Sequence, residues 1–135
     1  MTLLSGLNDA QKTAVTAAPG PVLVLAGPFS DKTRVIYYRV AYLIQEVGVS
    51  PWHIMAVTFT NKAAREMRHR VEVLLAGQPR GLTMGTFHAT CVRILRRETD
   101  NLPFYDRDFV IFDTADQQQV VKQALKNLNL DDKKF

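Results

Sequence analysis

The run Pro21-Val-Leu-Val-Leu-Ala-Gly27 carries no polar side chain and is closed at both ends by turn-forming residues. A strand with one face in water would alternate apolar and polar residues. A short, wholly apolar run reads instead as a strand buried on both faces, the kind that parallel sheets use. Parallel strands need crossover connections, and a helical pattern follows directly. Ile36, Val40, Leu43, Ile44 and Val47 share one face of a helix over Lys32 to Val47, which Gly48 stops. The same two signals then repeat. Ile54 to Phe59 is a second buried-type strand, and a helix from Asn61 has Ala64, Met67, Val71, Leu74 and Leu75 on one side, with Gly77 at its end. Leu82 to Gly85 is a short third strand, followed by a helix over Phe87 to Glu98 with Phe87, Cys91, Ile94 and Leu95 inward. Strand, helix, strand, helix, strand, helix predicts an α/β fold on a parallel sheet.

Before the first strand, Asn8 is placed to cap a short helix over Asp9 to Ala17. After the third helix the pattern changes. Asp100 to Asp108 is polar and turn-rich, with Pro103, and is the expected boundary. Beyond it lie a brief extended stretch, Phe109 to Phe112, and a helix over Thr114 to Asn129 with Gln117, Val121, Ala124 and Leu128 along one stripe. The expected division is residues 1–99 and residues 100–135.

With 135 residues, 47% of them apolar and 22% charged, the chain has room for one domain or for one domain and part of another. No stretch approaches the ~20 apolar residues of a membrane span. Val35 to Ile44 is interrupted by Arg39, and the N-terminus lacks the pattern of a secretory signal. One cysteine, Cys91, excludes an internal disulfide framework and any paired-cysteine zinc site, so a reducing cytoplasm is the expected location. The net charge of +4 is unevenly placed. Residues 61–97 hold eight Lys/Arg against two acids, whereas residues 98–135 hold five against eight. A basic middle points to a polyanion-facing surface; the alternative is a set of solvated helix faces.

The junction between the first strand and its helix reads Gly27-Pro28-Phe29-Ser30-Asp31-Lys32-Thr33. A glycine-ended strand running into a helix that opens Lys-Thr is the layout of a phosphate-binding loop, G-x-x-x-x-G-K-[ST]. In such a loop the backbone N–H groups turn inward and the helix N-terminus adds positive potential. The lysine meets the terminal phosphates and the hydroxyl ligates magnesium. Gly27, Lys32 and Thr33 fit, but Asp31 occupies the second required glycine position. Its Cβ restricts the backbone and its carboxylate repels a like charge.

The segments Leu7-Asn-Asp-Ala-Gln11, Gly20 to Gly27 and Lys32-Thr-Arg-Val35 resemble the start of the UvrD/PcrA/Rep family of superfamily 1 DNA helicases. The resemblance continues through Ala56-Val-Thr-Phe-Thr-Asn-Lys-Ala-Ala-Arg-Glu-Met67, Gly85-Thr-Phe-His88, Ile111 to Gln117 and Leu128 to Asp131. It implies a partial RecA-like, P-loop NTPase sheet flanked by helices, plus the start of an inserted helical subdomain. By the same resemblance Gln11 reads the adenine edge, and Gly27, Ser30, Lys32 and Thr33 hold phosphate and magnesium of Mg-ATP. Arg34 stacks on adenine. Thr58, Phe59, Thr60 and Asn61 form a first single-strand contact, with Arg65 nearby, and Thr86, Phe87 and His88 form a second. Implied partners are single-stranded DNA, DNA junctions and the remainder of the helicase. Hydroxyls and helix N-termini suit phosphates, aromatics suit bases, and basic residues release counterions.

The departures cluster in the loop, where Pro28, Phe29 and Asp31 stand where the family carries Ala, Gly and Gly. The resemblance also implies parts that these residues do not supply: an Asp-Glu pair after a further strand, arginines, and a second lobe. The chain alone is therefore expected not to hydrolyse ATP. Asp113 is followed by Thr114 rather than Glu, and either Asp113 or Thr114 is expected to cap the next helix. Cys91 is expected in the core, His53 and His69 at the surface, and Trp52 in packing. The alternative function is a non-catalytic module that binds nucleic acid or protein. An unrelated P-loop ATPase is disfavoured by the Thr58 to Met67 block.

Overall fold

The structure, a computed structural model, describes residues 3–27 and 31–130. Among these, α1 (Asp9–Thr16), α2 (Lys32–Gln45), β1 (Met55–Thr58), α3 (Asn61–Leu74), β2 (Thr83–Thr86), α4 (Phe87–Glu98) and α5 (Thr114–Asn127) follow one another along the chain. They fall into two compact units, Met1–Ile94 and Leu95–Phe135.

In the first unit β1 and β2 pair in parallel, from Met55 opposite Thr83 to Thr58 opposite Thr86. Helix α3 is the crossover between them, as the sequence pattern requires. Its apolar stripe is the centre of the core: Met67 is 1% exposed and Val71 is fully buried. They pack with Val40 of α2, Ile54, Ala56, Leu82 and Met84. Local signals set the helix ends. Asn8 and Gln11 form a reciprocal capping box at α1, and the Thr60 hydroxyl accepts from Ala63 N at α3. At the other end of α3 the left-handed residue is Ala76, at φ 52°, not the expected Gly77. Ala76 N donates to Val73 O and Gly77 N to Glu72 O, so the glycine falls one position late in the C-terminal motif.

Residues 21–27, expected as the first strand, join no sheet among the described residues. Their side chains still alternate: Leu23 and Leu25 are 83% and 87% exposed, while Val22 and Val24 are about half exposed. Val22 and Val24 line a cavity of about 390 Å³ with Val35 and Val40 of α2 and Ile54 and Ala56 beside and on β1. The run is apolar enough for a buried strand, but a strand also needs a hydrogen-bonded neighbour. Among the described residues β1 has its ladder with β2, and none reaches residues 21–27.

Helix α4 also departs from expectation. Phe87, Ile94 and Leu95 are 40–45% exposed and Cys91 is exposed, so the stripe expected inward is open and Cys91 is not core. Thr90 is buried instead. Helix α4 leaves β2 with no intervening residue, and the Thr90 hydroxyl lies 3.6 Å from where a Cβ on Gly85 would stand.

In the second unit, Asp113 caps α5 through a reciprocal box with Asp116. Arg107 pairs with Asp100 at 2.8 Å, and Arg96 lies 5.8 Å from the Phe109 ring centroid. The stripe on α5 is uncovered, with Val121 and Leu128 both exposed. No α5 residue is buried, although the helix and its cap form as expected.

Truncating the α3 stripe tests this core. Met67→Ala is expected to cost about 2–5 kcal/mol of unfolding free energy. Leu23→Lys, at an exposed position, is expected to change stability by less than about 0.5 kcal/mol while reducing self-association of the purified chain. Urea unfolding and sedimentation velocity measure the two effects separately.

Candidate functional site

The capping box at α1 fixes Gln11. Its Oε1 accepts from Asn8 N at 3.1 Å, and Asn8 Oδ1 accepts from Gln11 N at 2.8 Å. A helix-terminal constraint thus orients a carboxamide able to meet the donor and acceptor edge of a base. Gln11 lines a cavity of about 430 Å³ with Asn8, Val24, Gly27, Asp31 and Val35.

At the start of α2, Asp31 takes a left-handed conformation, φ 49° and ψ 41°, and its side chain caps no N–H group. This is the backbone region that favours glycine, so the chain follows a glycine-type path with an aspartate on it. Lys32 does not line either cavity beside the α2 N-terminus. Its Nζ donates to the carbonyls of Gly27 at 2.6 Å and Ala26 at 3.3 Å. Thr33 and Arg34 line a second cavity of about 560 Å³ with Tyr37, Tyr38, Glu66 and Arg70. Asp31 borders both cavities. Of the residues expected to meet a nucleotide, the structure groups Gln11 with Gly27 and Thr33 with Arg34. Ser30 lies outside the described residues.

Arg34 is the most constrained of this set. Its Nη2 donates to the Gly6 carbonyl at 2.7 Å, its Nη1 lies 3.8 Å from the Asp31 carboxylate, and its Nε is buried without a partner. Next to it, burial raises the Tyr37 phenol above its ordinary pKa, against the opposing pull of the Arg34 and Arg70 cations. That phenol stays neutral across the physiological range.

A magnesium nucleotide fits these residues in part. For a base, one cavity offers an oriented amide at Gln11 and the other a planar cation at Arg34 with one unsatisfied donor. The phosphate-facing side does not fit as it stands: Lys32 is bonded to backbone carbonyls, and Asp31 puts a carboxylate at the loop's glycine position.

The two segments expected to meet DNA come together at the ends of β1 and β2, where Thr58 and Thr86 are partners in the ladder. Both threonines are buried. The Thr58 hydroxyl donates to Thr60 O at 3.0 Å, and the Thr86 hydroxyl accepts from Ala89 N at 3.2 Å. They shape the starts of α3 and α4, and their neighbours reach solvent. Phe59 is 89% exposed, and its ring centroid is 5.4 Å from that of Phe87, with the planes tilted by 46°. Asn61, Arg65 and His88 are exposed around them. Arg68, one turn after Arg65, differs: its Nη2 donates to the carbonyl of buried Met84 at 2.5 Å. Half of this basic pair is tied to the fold.

Three contributors escaped the sequence reading. Tyr38 follows Arg34 by one helical turn, a spacing that could have flagged it. Gly6 and Arg70 reach the site only through the packing of α1 and α3 against α2, which no local pattern announces.

Residues 7–135 match the family described as UvrD/REP helicase N-terminal domain. The chain is 54% identical over 133 residues to the ATP-dependent DNA helicase PcrA of Bacillus subtilis. It is 50% identical over the same length to the protein of that name in Staphylococcus aureus, and 48% to that of Staphylococcus epidermidis. Each alignment covers 98% of this chain and 18% of the relative, so the chain spans about a fifth of their length.

Arg65 and Arg68 of α3 are expected to separate in solution. Arg68→Ala, by orphaning the Met84 carbonyl, is expected to lower stability by about 1–3 kcal/mol. Arg65→Ala is expected to leave stability unchanged and to reduce the salt dependence of oligonucleotide binding. Chemical denaturation and a salt series of binding isotherms check the pair.

Proposed function

We propose, given that the chain belongs to the UvrD/REP helicase N-terminal domain family, that it supplies the start of an ATP-driven motor which translocates on single-stranded DNA and unwinds duplex. Residues 1–99 then belong to a RecA-like ATP-binding domain, and residues 100–135 begin an inserted helical subdomain. Single-stranded DNA and DNA junctions are the substrates of the parent protein in this reading, and the rest of the helicase is this chain's first partner. No helix among the described residues is long and apolar enough to cross a membrane, and we assign the protein to the cytoplasm.

One observation carries the reading: the ladder that sets Thr58 opposite Thr86 brings the two contact segments to one edge, with Phe59 and Phe87 side by side and outward. Two helices begin there, so their N–H groups and the nearby basic residues suit phosphates while the rings suit bases. Binding by this half-site alone is weak and salt-sensitive, on the order of the 10⁻⁴–10⁻⁶ M of non-specific contacts.

On the nucleotide side, this chain's residues orient a base better than they hold a polyphosphate. When bound, magnesium and ATP supply the phosphoryl transfer that drives such motors. Gln11 and Arg34 would face the base, and Thr33 is the hydroxyl available to the metal. With Asp31 in the loop and no Asp-Glu pair following Asp113, the chain by itself turns over no ATP. The Asp31 conformation also favours a second reading, a nucleic-acid-binding module that works without nucleotide.

Two measurements test these readings. In fluorescence anisotropy with a labelled single-stranded oligonucleotide, Phe59→Ala is expected to weaken binding by about 1–3 kcal/mol without altering the salt slope, because stacking releases no counterions. Unchanged affinity would remove Phe59 from the DNA path. In calorimetry with Mg-ATP, Asp31→Gly combined with Phe29→Gly is expected to raise affinity roughly tenfold or more, by removing a like charge and backbone obstruction. Equal affinity in parent and double variant supports the nucleotide-independent module.

A further inference from the structure

We propose that Gly6 and Tyr38 are positioning residues that hold the Arg34 guanidinium in a fixed plane for a purine base. The proposal rests on the reading above, in which Arg34 stacks on adenine. Gly6 precedes Arg34 by 28 residues, yet its carbonyl accepts from Arg34 Nη2 at 2.7 Å. Tyr38 stands one turn after Arg34 on α2, and the guanidinium carbon lies 5.6 Å from its ring centroid. The carboxylate of Asp31, one turn before, is 3.8 Å from Nη1. A guanidinium held at one nitrogen by a backbone carbonyl and bordered by an aromatic ring has little rotational freedom left. A planar cation meets a base best in that state, because less ordering remains to be done on binding.

The space around Gly6 explains its lack of a side chain. A Cβ built there would come to 3.0 Å from Arg34 Nη2 and 3.5 Å from the Tyr38 hydroxyl, and these are side-chain ends rather than backbone. Gly6 is not among the glycines with positive φ, so the backbone does not require glycine at this position. A Cβ at Gly6 would therefore press on the guanidinium, which would have to give by a few tenths of an ångström. Leu7 next to it is buried, which anchors the carbonyl, and Gln11 follows on the capped turn of α1. One short segment therefore orients the amide that reads a base edge and also the cation that covers a base face.

The test uses the full chain carrying Asp31→Gly and Phe29→Gly, with Mg-ATP and inorganic tripolyphosphate as the two probes. Tripolyphosphate lacks a base, so it reports the loop and the integrity of the fold. Gly6→Ala and, independently, Tyr38→Leu are expected to weaken Mg-ATP binding by about two- to fivefold, the size of an exposed cation–π contact, and to leave tripolyphosphate binding unchanged. Arg34→Ala is expected to weaken Mg-ATP binding at least as much. If Arg34→Ala lowers the preference for ATP while Gly6→Ala and Tyr38→Leu do not, the positioning role is overturned and base stacking stands. If Arg34→Ala leaves that preference unchanged, the stacking reading fails and takes the proposal with it. A ligand-free measurement closes the test: Gly6→Ala is expected to shift the Arg34 Nε–Hε resonance, and a resonance that does not move overturns the proposal regardless of the binding data.

Discussion

The parallel ladder between β1 and β2, from Met55 opposite Thr83 to Thr58 opposite Thr86, is the interaction on which the rest of the molecule depends. Parallel strands in register end at the same level. The chain leaving each one turns into a helix there, so α3 and α4 start side by side. The crossover that parallel pairing demands also places α3 on the sheet, where Met67 and Val71 form the driest part of the core. The edge at which Phe59 and Phe87 meet is thus a by-product of strand pairing. Buried threonines cap and shape the turns, and the residues beside them are pushed outward, Phe59 to 89% exposure.

Around α2 the balance is different. Its N-terminus lies between two cavities, one reaching Gln11 and the other Arg34, with Asp31 at the border of both. The backbone there keeps a conformation natural to glycine although aspartate occupies it. Path and side chain conflict at this one position. The lysine that follows is held by the carbonyls of Ala26 and Gly27 instead of pointing into either cavity. Gln11 and Arg34 are ordered by contacts outside the loop, through Asn8 and Gly6 respectively.

Much apolar surface stays open. Leu23 and Leu25, the Phe87 to Leu95 stripe of α4, and Val121 and Leu128 of α5 are all exposed. Each lies on an element whose apolar pattern asks for a partner, and among the described residues none covers it. The chain spans 18% of the length of its relatives, and a sheet of two strands buries little area by itself.

The helices and two of the three expected strands were legible in the sequence. Asn8 and Asp113 cap the helices that follow them, and the stripe Ala64, Met67 and Val71 faces the core as its spacing predicts. The block from Thr58 to Met67 carried the family, and Asp31 announced the altered loop. These features are local: periodicity, capping and turn chemistry act within a few residues, so a single segment can display them. Only the tertiary structure decided which apolar stripes are covered, that residues 21–27 lack a ladder among the described residues, and that Arg68, exposed like Arg65, is tied to the Met84 carbonyl. It alone joined Gly6 to Arg34 across 28 residues. Burial and long-range hydrogen bonds depend on a second surface arriving at the right place, and no segment carries that information about its partner.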